Sequence, residues 1–487
     1  MRSIFQTLKK YRAAAITAIL LMFVELTVEL IQPLLISKII DDGIVPRDSG
    51  VVVLWGSVLV GGTILAFAAG ILSSFYAAHV SQSLGYDIRE KLYGKIQSFA
   101  YAVFNRFPTS SLITRLTNDV TQVQDTMFMG LRFMLRVPLV VIGSMIMALV
   151  VHPGLGFLLL LTVPILIGFI LWIVKKAAAL FARVQLRLDA VNGVMQENLT
   201  GMRLIRVFVR GDRETERFAR HSGELMVSTT SAQRLTELTQ PFIVLIMNAG
   251  IIAVLWFGQL EIHAGSATTG EVVAVVNYSL RTAGALSALS MLVAAFSRAR
   301  ASARRIEETL MTEEGASLGV SASQDDKGGL SDGSVEFERV SFRYPNTEAH
   351  ALEDVSFRAA SGTTVAILGA TGAGKTSLVQ LVLRLYEKES GTIRIGGRDA
   401  GKWDPAKLHD AIGYVPQEVV LFTGSIRDNI AWGAPGASDE EIVEAAKRAQ
   451  IHETIAGLPL GYETMLGQRG VNLSGGQKQR ISIARAL

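Results

Sequence analysis

Toward the C-terminal end of the chain, Gly369, Ala370, Thr371, Gly372, Ala373, Gly374, Lys375 and Thr376 fit the pattern G-x-x-x-x-G-K-[ST], with Ser377 following. The chemistry of that spacing is phosphate binding. Glycines let successive backbone N–H groups turn toward one anion, Lys375 brings an ammonium to the β- and γ-phosphate oxygens, and the Thr376 hydroxyl can ligate a phosphate-bound Mg²⁺. Such a cradle needs a strand to enter it and a helix to leave it, because the helix N-terminus adds its own partial positive charge. Thr363–Leu368 (TTVAIL) reads as a buried strand, and Thr376–Leu385 reads as the helix. A glycine turn of purely structural use is the alternative, and these flanks argue against it.

A second element follows at Leu473–Gln477 (LSGGQ), leading into a helical run that ends at Leu487. Ser474, Gly475, Gly476 and Gln477 with that helix resemble the signature of ATP-binding cassette (ABC) transporters. Other marks of the family follow in the family's order. Tyr344 stands in FRYP, where the family stacks an aromatic ring on adenine, and Gln417 stands in YVPQ, where it places a glutamine against Mg²⁺ and the attacking water. Leu421–Ile430 and Gly467–Gly470 resemble the stretches that dock on coupling helices in exporters. The resemblance implies ATP and Mg²⁺ as cofactors, Lys375 and Gln417 as the groups nearest catalysis, and Thr376 and Gln417 as metal ligands.

Composition divides the 487 residues. Hydrophobic residues make up 49% and charged residues 18%, and mean hydropathy is +0.36. The apolar excess lies almost wholly before residue 300, so a membrane domain precedes a soluble one. No cysteine is present, which excludes disulfides and thiolate metal sites. The net charge of +4 sits in loops beside apolar segments and reads as orientation charge, not as a nucleic-acid site. Met1–Arg12, with Arg2, Lys9, Lys10 and Arg12, reads as an uncleaved amphipathic helix on the inner membrane face.

A spanning helix needs about 20 largely apolar residues to cross about 30 Å of hydrocarbon. Six stretches qualify: Ala13–Ile36, Val51–Ala77, Phe133–Val151, Leu155–Val174, Pro241–Phe257 and Val272–Phe296. Basic residues crowd the second-to-third connection (Arg89, Lys91, Lys95, Arg106, Arg115) and the fourth-to-fifth (from Lys175 to Arg234), which makes those connections and both chain ends cytoplasmic. At about 50 to 60 residues each, they are too long for simple turns and read as helical. Phe104–Asp119 and Gly201–Phe208 resemble the two coupling helices of ABC exporters.

The expected fold is an all-α transmembrane domain with six spans at residues 1–311, a Gly/Ser/Asp/Glu-rich linker at 312–334, and an α/β P-loop ATP-binding domain at 335–487 with a mainly parallel core sheet. The resemblance implies that the ATP-binding domain is partial here. A strand ending in the Mg²⁺-holding Asp (Walker B), the catalytic carboxylate and a switch histidine would follow Leu487, so hydrolysis is expected of the full-length protein and not of these residues alone.

It implies half of an ATP-driven exporter of drug-like or lipid molecules in the cytoplasmic membrane. A second half-transporter would pair with it so that Ser474 and Gly476 meet the γ-phosphate held by the partner. The Asp41–Val45 element (DDGIV) looks like bacterial multidrug half-transporters that often form heterodimers, which favours a heterodimer over a homodimer. A membrane-anchored ATP-binding regulator is the alternative. Glu25 and Glu29, four apart near the middle of the first span, should share one face. They are expected to meet a water-filled cavity or another helix, to repel each other, and either to attract cationic cargo or to fix packing through neighbouring Thr, Ser or Asn.

Overall fold

The computed structural model describes residues 6–313, 332–345 and 347–487, with side chains omitted at 287–291, 293 and 294. It divides into two compact units, one of residues up to Gly94 plus Thr109–Thr312, the other of Lys95–Pro108 plus Glu313–Leu487. Of the expected linker, 314–331 lie outside the described residues.

The first unit is wholly helical. Unbroken runs of Leu, Val, Ile, Ala and Phe leave few helix faces polar, which is the pattern of helices solvated by lipid. Among the described residues, five helical runs, Gln6–Ile44, Ser49–Gln97, Thr109–Val151, Pro153–Thr200 and Gly211–Ala264, are long and apolar enough to cross a bilayer, and they contain the first five expected spans. The sixth, Val272–Phe296, lies inside the continuous helix Thr269–Met311. Part of that helix, at 287–291, 293 and 294, lies outside the residues whose side chains are described. At about 1.5 Å per residue, the 49-residue helix Ser49–Gln97 is roughly twice as long as the hydrocarbon is thick. The basic connections are therefore continuations of the spanning helices. Of the expected Met1–Arg12 helix, residues 1–5 lie outside the described residues; from Gln6 the chain is helical and runs through a 3₁₀ turn at Lys9–Tyr11 into Arg12–Lys38.

Packing within this unit centres on Leu155, Leu159, Val163, Leu166, Met247 and Tyr278, all nearly inaccessible. The Tyr278 hydroxyl donates to the Leu30 carbonyl at 2.8 Å, a satisfied buried polar group. Helix Thr269–Met311 starts at a capping box between Thr268 and Glu271. Asp41 adds to it, accepting from the Gly270 amide at 2.8 Å and the Thr268 hydroxyl at 2.7 Å. A Cβ on Gly270 would lie 2.5 Å from the Ser37 carbonyl, so this approach of chain segments requires glycine.

In the second unit, β1 (Val335–Phe342) lies between β2 (Leu352–Ala359) and β3 (Ser390–Ile395), with the short β4 (Arg398–Asp399) beyond β3. Every pairing in this sheet is antiparallel, with Phe337 opposite both Phe357 and Ile393. The expectation of a mainly parallel sheet is thus corrected for the described residues. So is the buried strand at Thr363–Leu368, which has no ladder partner among the described residues. Its side chains are exposed, Leu368 at 91%. Apolar β-branched residues favour extended backbone, but only a neighbour that satisfies N–H and C=O groups makes a strand. A separate core of Leu421, Ile426, Ile430, Ile442, Ile455 and Ile481 forms a helical subdomain, whose small sheet joins β5 (Gly424–Ser425) to β6 (Met465–Leu466).

Candidate functional site

The phosphate-loop pattern folds as a bare turn opening into helix Lys375–Val382. Gly372 and Gly374 have φ of +86° and +82°, conformations that L side chains rarely adopt. A Cβ on Gly374 would also lie 2.7 Å from Leu352 Cδ2. Lys375 Nζ curls back over the turn and donates to the carbonyls of Gly369 (2.9 Å) and Ala370 (2.7 Å). Thr371 and Ala373 complete the exposed part of the turn, and Thr376 is exposed at the helix start. This is a concentration of donors and one ammonium without a carboxylate partner among the described residues, which suits a polyanion.

Tyr344 stands beside that helix. Its hydroxyl lies 2.8 Å from Ser377 Oγ and donates to Gln380 Oε1 at 3.0 Å. Ser377, expected near the phosphates, is buried and spends its hydroxyl on this contact. Phe342 and Tyr386 each meet the Tyr344 ring edge-on, at 4.8 and 5.1 Å between centroids. The fixed ring leaves a flat face, the geometry for stacking a base.

Tyr386 carries the contacts onward. Its ring meets Tyr101 edge-on at 5.6 Å, and its hydroxyl accepts from Asn105 Nδ2 at 2.9 Å. Burial pushes the Tyr386 phenol above its ordinary value of 10.0, with the Asn105 hydrogen bond working against it. Tyr101 belongs to the short helix Tyr101–Phe104, so the connection between the second and third spans touches the nucleotide domain at Tyr101 and Asn105, the N-terminal edge of the expected Phe104–Asp119 segment. A 280 Å³ pocket between Phe99, Tyr101, Phe104, Arg384, Pro405 and His409 lies beside this contact. The other expected coupling segment forms helix Met202–Val207, ending in exposed Val207, Phe208 and Val209.

Ser474 is the N-cap of helix Gly475–Ala486. Its Oγ accepts from the Gln477 amide, and Gln477 Oε1 accepts from the Ser474 amide at 2.8 Å. The Ser474 hydroxyl proton and the amides of Gly475 and Gly476 stay available, and nothing lies within 4 Å of where either glycine would carry a Cβ. Arg485 holds the far end of the helix, donating to the Asn429 carbonyl (2.9 Å), Asn429 Oδ1 (3.0 Å) and the Val420 carbonyl (3.1 Å). Gln417 is exposed in an irregular loop, and no hydrogen bond among the described residues joins it to Lys375 or Thr376. The structure therefore brings Tyr344 and Ser377 together at the helix that leaves the phosphate loop.

Glu25 and Glu29 do lie on one face, but they are not bare. Glu25 accepts from Arg132 (2.6 Å) and Arg136 (3.0 Å), and Glu29 from Arg136 (2.8 Å), with Arg281 Nη1 at 3.5 Å. The expected mutual repulsion is offset, and the expected packing partners are corrected, because each carboxylate is held by guanidinium groups and not by Thr, Ser or Asn. Arg132 lies in a π-helical turn, Gly130–Met134, which turns it toward Glu25. These arginines escaped the sequence reading; the signal that could have found them is the four-residue spacing of Arg132 and Arg136, matching that of Glu25 and Glu29.

Comparison with known proteins agrees with both units. A family model described as the ABC transporter transmembrane region matches residues 15–286, and one described as ABC transporter matches 352–487. An uncharacterised ABC transporter ATP-binding protein of Bacillus subtilis (strain 168) is 54% identical over 490 residues, covering 100% of this chain and 84% of that protein. A putative multidrug export ATP-binding/permease protein of the same organism is 30% identical, covering 100% of this chain and 84% of that protein. An ATP-dependent lipid A-core flippase of Syntrophus aciditrophicus (strain SB) is 29% identical, over 87% of this chain and 69% of that one. With helical spans leading into a phosphate loop and a signature helix on one polypeptide, the chain belongs to the ABC transporter family, as an ATP-binding half-transporter of the exporter type.

Proposed function

We propose that this chain is one half of a dimeric exporter that uses ATP to move a hydrophobic or amphipathic molecule, drug-like or lipid, across the cytoplasmic membrane, with both chain ends in the cytoplasm. The observation that carries this reading is the packed path Tyr344–Tyr386–Tyr101. It gives a base-stacking position a direct mechanical connection to the segment between the second and third spans.

The residues present fit ATP. Tyr344 would take the base, and the loop amides with Lys375 would take the phosphates. Among the described residues no cluster of three His, Cys, Asp or Glu could hold a metal by itself, so Mg²⁺ would enter on the phosphates with Thr376 and Gln417 as oxygen ligands. When bound, Mg²⁺ supplies neutralisation of phosphate charge. Ser474, Gly475, Gly476 and Gln477 would present their free donors to the γ-phosphate held by a second half-transporter, so that closure of the pair reports ATP to the spans. A heterodimer is the favoured pair. Two relatives, an ATP-dependent lipid A-core flippase and a putative multidrug export protein, support an apolar or amphipathic cargo.

The test is ATP-dependent accumulation of a lipophilic fluorescent dye in inverted vesicles containing the full-length protein with and without its partner. Accumulation only when both halves are present supports the reading. ATP binding with no movement of any dye or labelled lipid sinks it in favour of a membrane-anchored regulator.

A further inference from the structure

The charged cluster around the first span does not sum to zero. Arg132, Arg136 and Arg281 face two carboxylates, Glu25 and Glu29, and Arg136 is shared between both. Arg281 is the least engaged: its nearest acceptor is the neutral Gln32 Oε1, at 2.8 Å, and Glu29 stands 3.5 Å away. These groups border two open pockets that share Glu25, Ala66 and Phe67. One, of 480 Å³, is lined by Gln32, Thr63, Arg136 and Arg281. The other, of 510 Å³, is lined by Arg132 and the apolar Ile71, Phe75 and Phe128. Among the described residues no other charged side chain lines either pocket.

We infer that this cluster and its apolar neighbour form a binding site for an amphiphile with a singly negative head, the head seated against Arg281 and Arg136 and the apolar body against Phe67, Phe75 and Phe128. An unbalanced guanidinium within a membrane-spanning segment is costly, and an anion that completes the set removes that cost. Arginine is suited to the task, because its planar fork holds a second carboxylate-like or phosphate-like group while keeping the first. The site's sign is opposite to that of two bare glutamates: net +1 by the residues that meet there, against −2. Gly70 leaves room for the Glu25 carboxyl, since a Cβ there would lie 3.1 Å from it and the carboxyl would have to shift by a few tenths of an ångström. The inference rests on the reading of the chain as an exporter of amphipathic molecules, and it names the charge class of that cargo.

The experiment needs no nucleotide, so its failure is separate from a failure of export. The full-length protein with its partner, in phosphatidylcholine nanodiscs, is titrated with 11-(dansylamino)undecanoic acid, its neutral methyl ester, and an analogue ending in trimethylammonium, with dansyl emission as the readout. The acid should bind about tenfold more tightly than the ester, the cation more weakly than either. Arg281→Gln should remove the preference for the acid, and Glu29→Gln, which leaves the cluster more positive, should increase it. Opposite shifts are what a charge-reading site gives; a cluster that only packs helices would move neither preference or both the same way, and that result overturns the inference. Should Arg281→Gln fail to fold, the rise in Glu29→Gln decides alone. Tighter binding of the cation, or displacement of the acid by equimolar inorganic phosphate, would also overturn it, the second by showing a small-anion site without need of the apolar body.

Discussion

Lys375 and the arginines of the spanning unit are two ways of holding positive charge. Among the described residues Lys375 meets only carbonyl oxygens five and six residues away in its own loop. Arg132 and Arg136 meet carboxylates 107 residues away on another helix. A cation with neutral partners keeps its field for an incoming polyanion, whereas a paired one gives most of it to a neighbour and gains position in return. The loop is therefore prepared for a large, highly charged ligand, and the span cluster for joining helices while showing a single residual charge.

The largest effect that tests this contrast comes from Lys375→Ala. Since the ammonium has no internal duty beyond two loop carbonyls, folding should be untouched while ATP turnover falls by at least about a hundredfold, in the range for loss of one preorganised charge-stabilising donor. Steady-state phosphate release by the full-length protein with its partner is the measurement. Turnover above about a tenth of wild type would show that the loop's charge is not the part that matters.

Arg136→Leu should behave in the opposite manner, lowering stability more than the chemistry of ATP. It strips one partner from both Glu25 and Glu29. A buried pair broken on one side costs about 3–5 kcal/mol; with the Arg136 side chain 21% exposed, about 1–3 kcal/mol is expected. Thermal unfolding in detergent reads it. Adding Glu29→Gln should recover part of the loss, because the carboxylate left short of a partner is then gone. Strict additivity of the two changes would mean that Arg136 and Glu29 are not coupled, and the paired half of the comparison would fail.

What was legible in the sequence follows the same division. The phosphate loop and the signature are contiguous, so their chemistry can be read from spacing, and the structure does form a tight glycine turn at Gly372 and Gly374 and a capped helix at Ser474. Spans are legible because hydrocarbon asks the same thing of every residue in a run. Tyr386 was not: nothing in its neighbours marks it, and its role comes from Asn105, 281 residues earlier. Glu25 and Glu29 were legible but their arginine partners were not, since a charge in a span is completed by residues on other helices. Thr363–Leu368 shows the remaining gap, for its composition favours extended backbone but strand formation depends on a partner that composition does not supply.

The smallest effect should come from the most local pairing. Ser425 caps helix Ile426–Ala431, and Asp428 returns the bond, its Oδ2 accepting from the Ser425 amide at 3.1 Å. The Ser425 hydrogen bonds, side chain first and backbone second, hold the Asp428 carboxyl below its ordinary value of 3.8. A carboxyl whose folded value is depressed stabilises the fold fully above the unfolded value and loses that contribution as pH falls through the folded one. Asp428→Asn should therefore weaken the helix start slightly at neutral pH, and the difference from wild type should close in acid, once Asp428 is itself protonated. Hydrogen exchange of the peptide covering Ile426–Ala431, compared between the two proteins and corrected for the intrinsic rate, measures it. A difference that stays constant down to about pH 2 would mean that the amide loses something other than charge. A difference larger than that of Arg136→Leu would reverse the order set by the comparison, placing a short-range cap above a long-range ion pair as the stronger constraint on the fold.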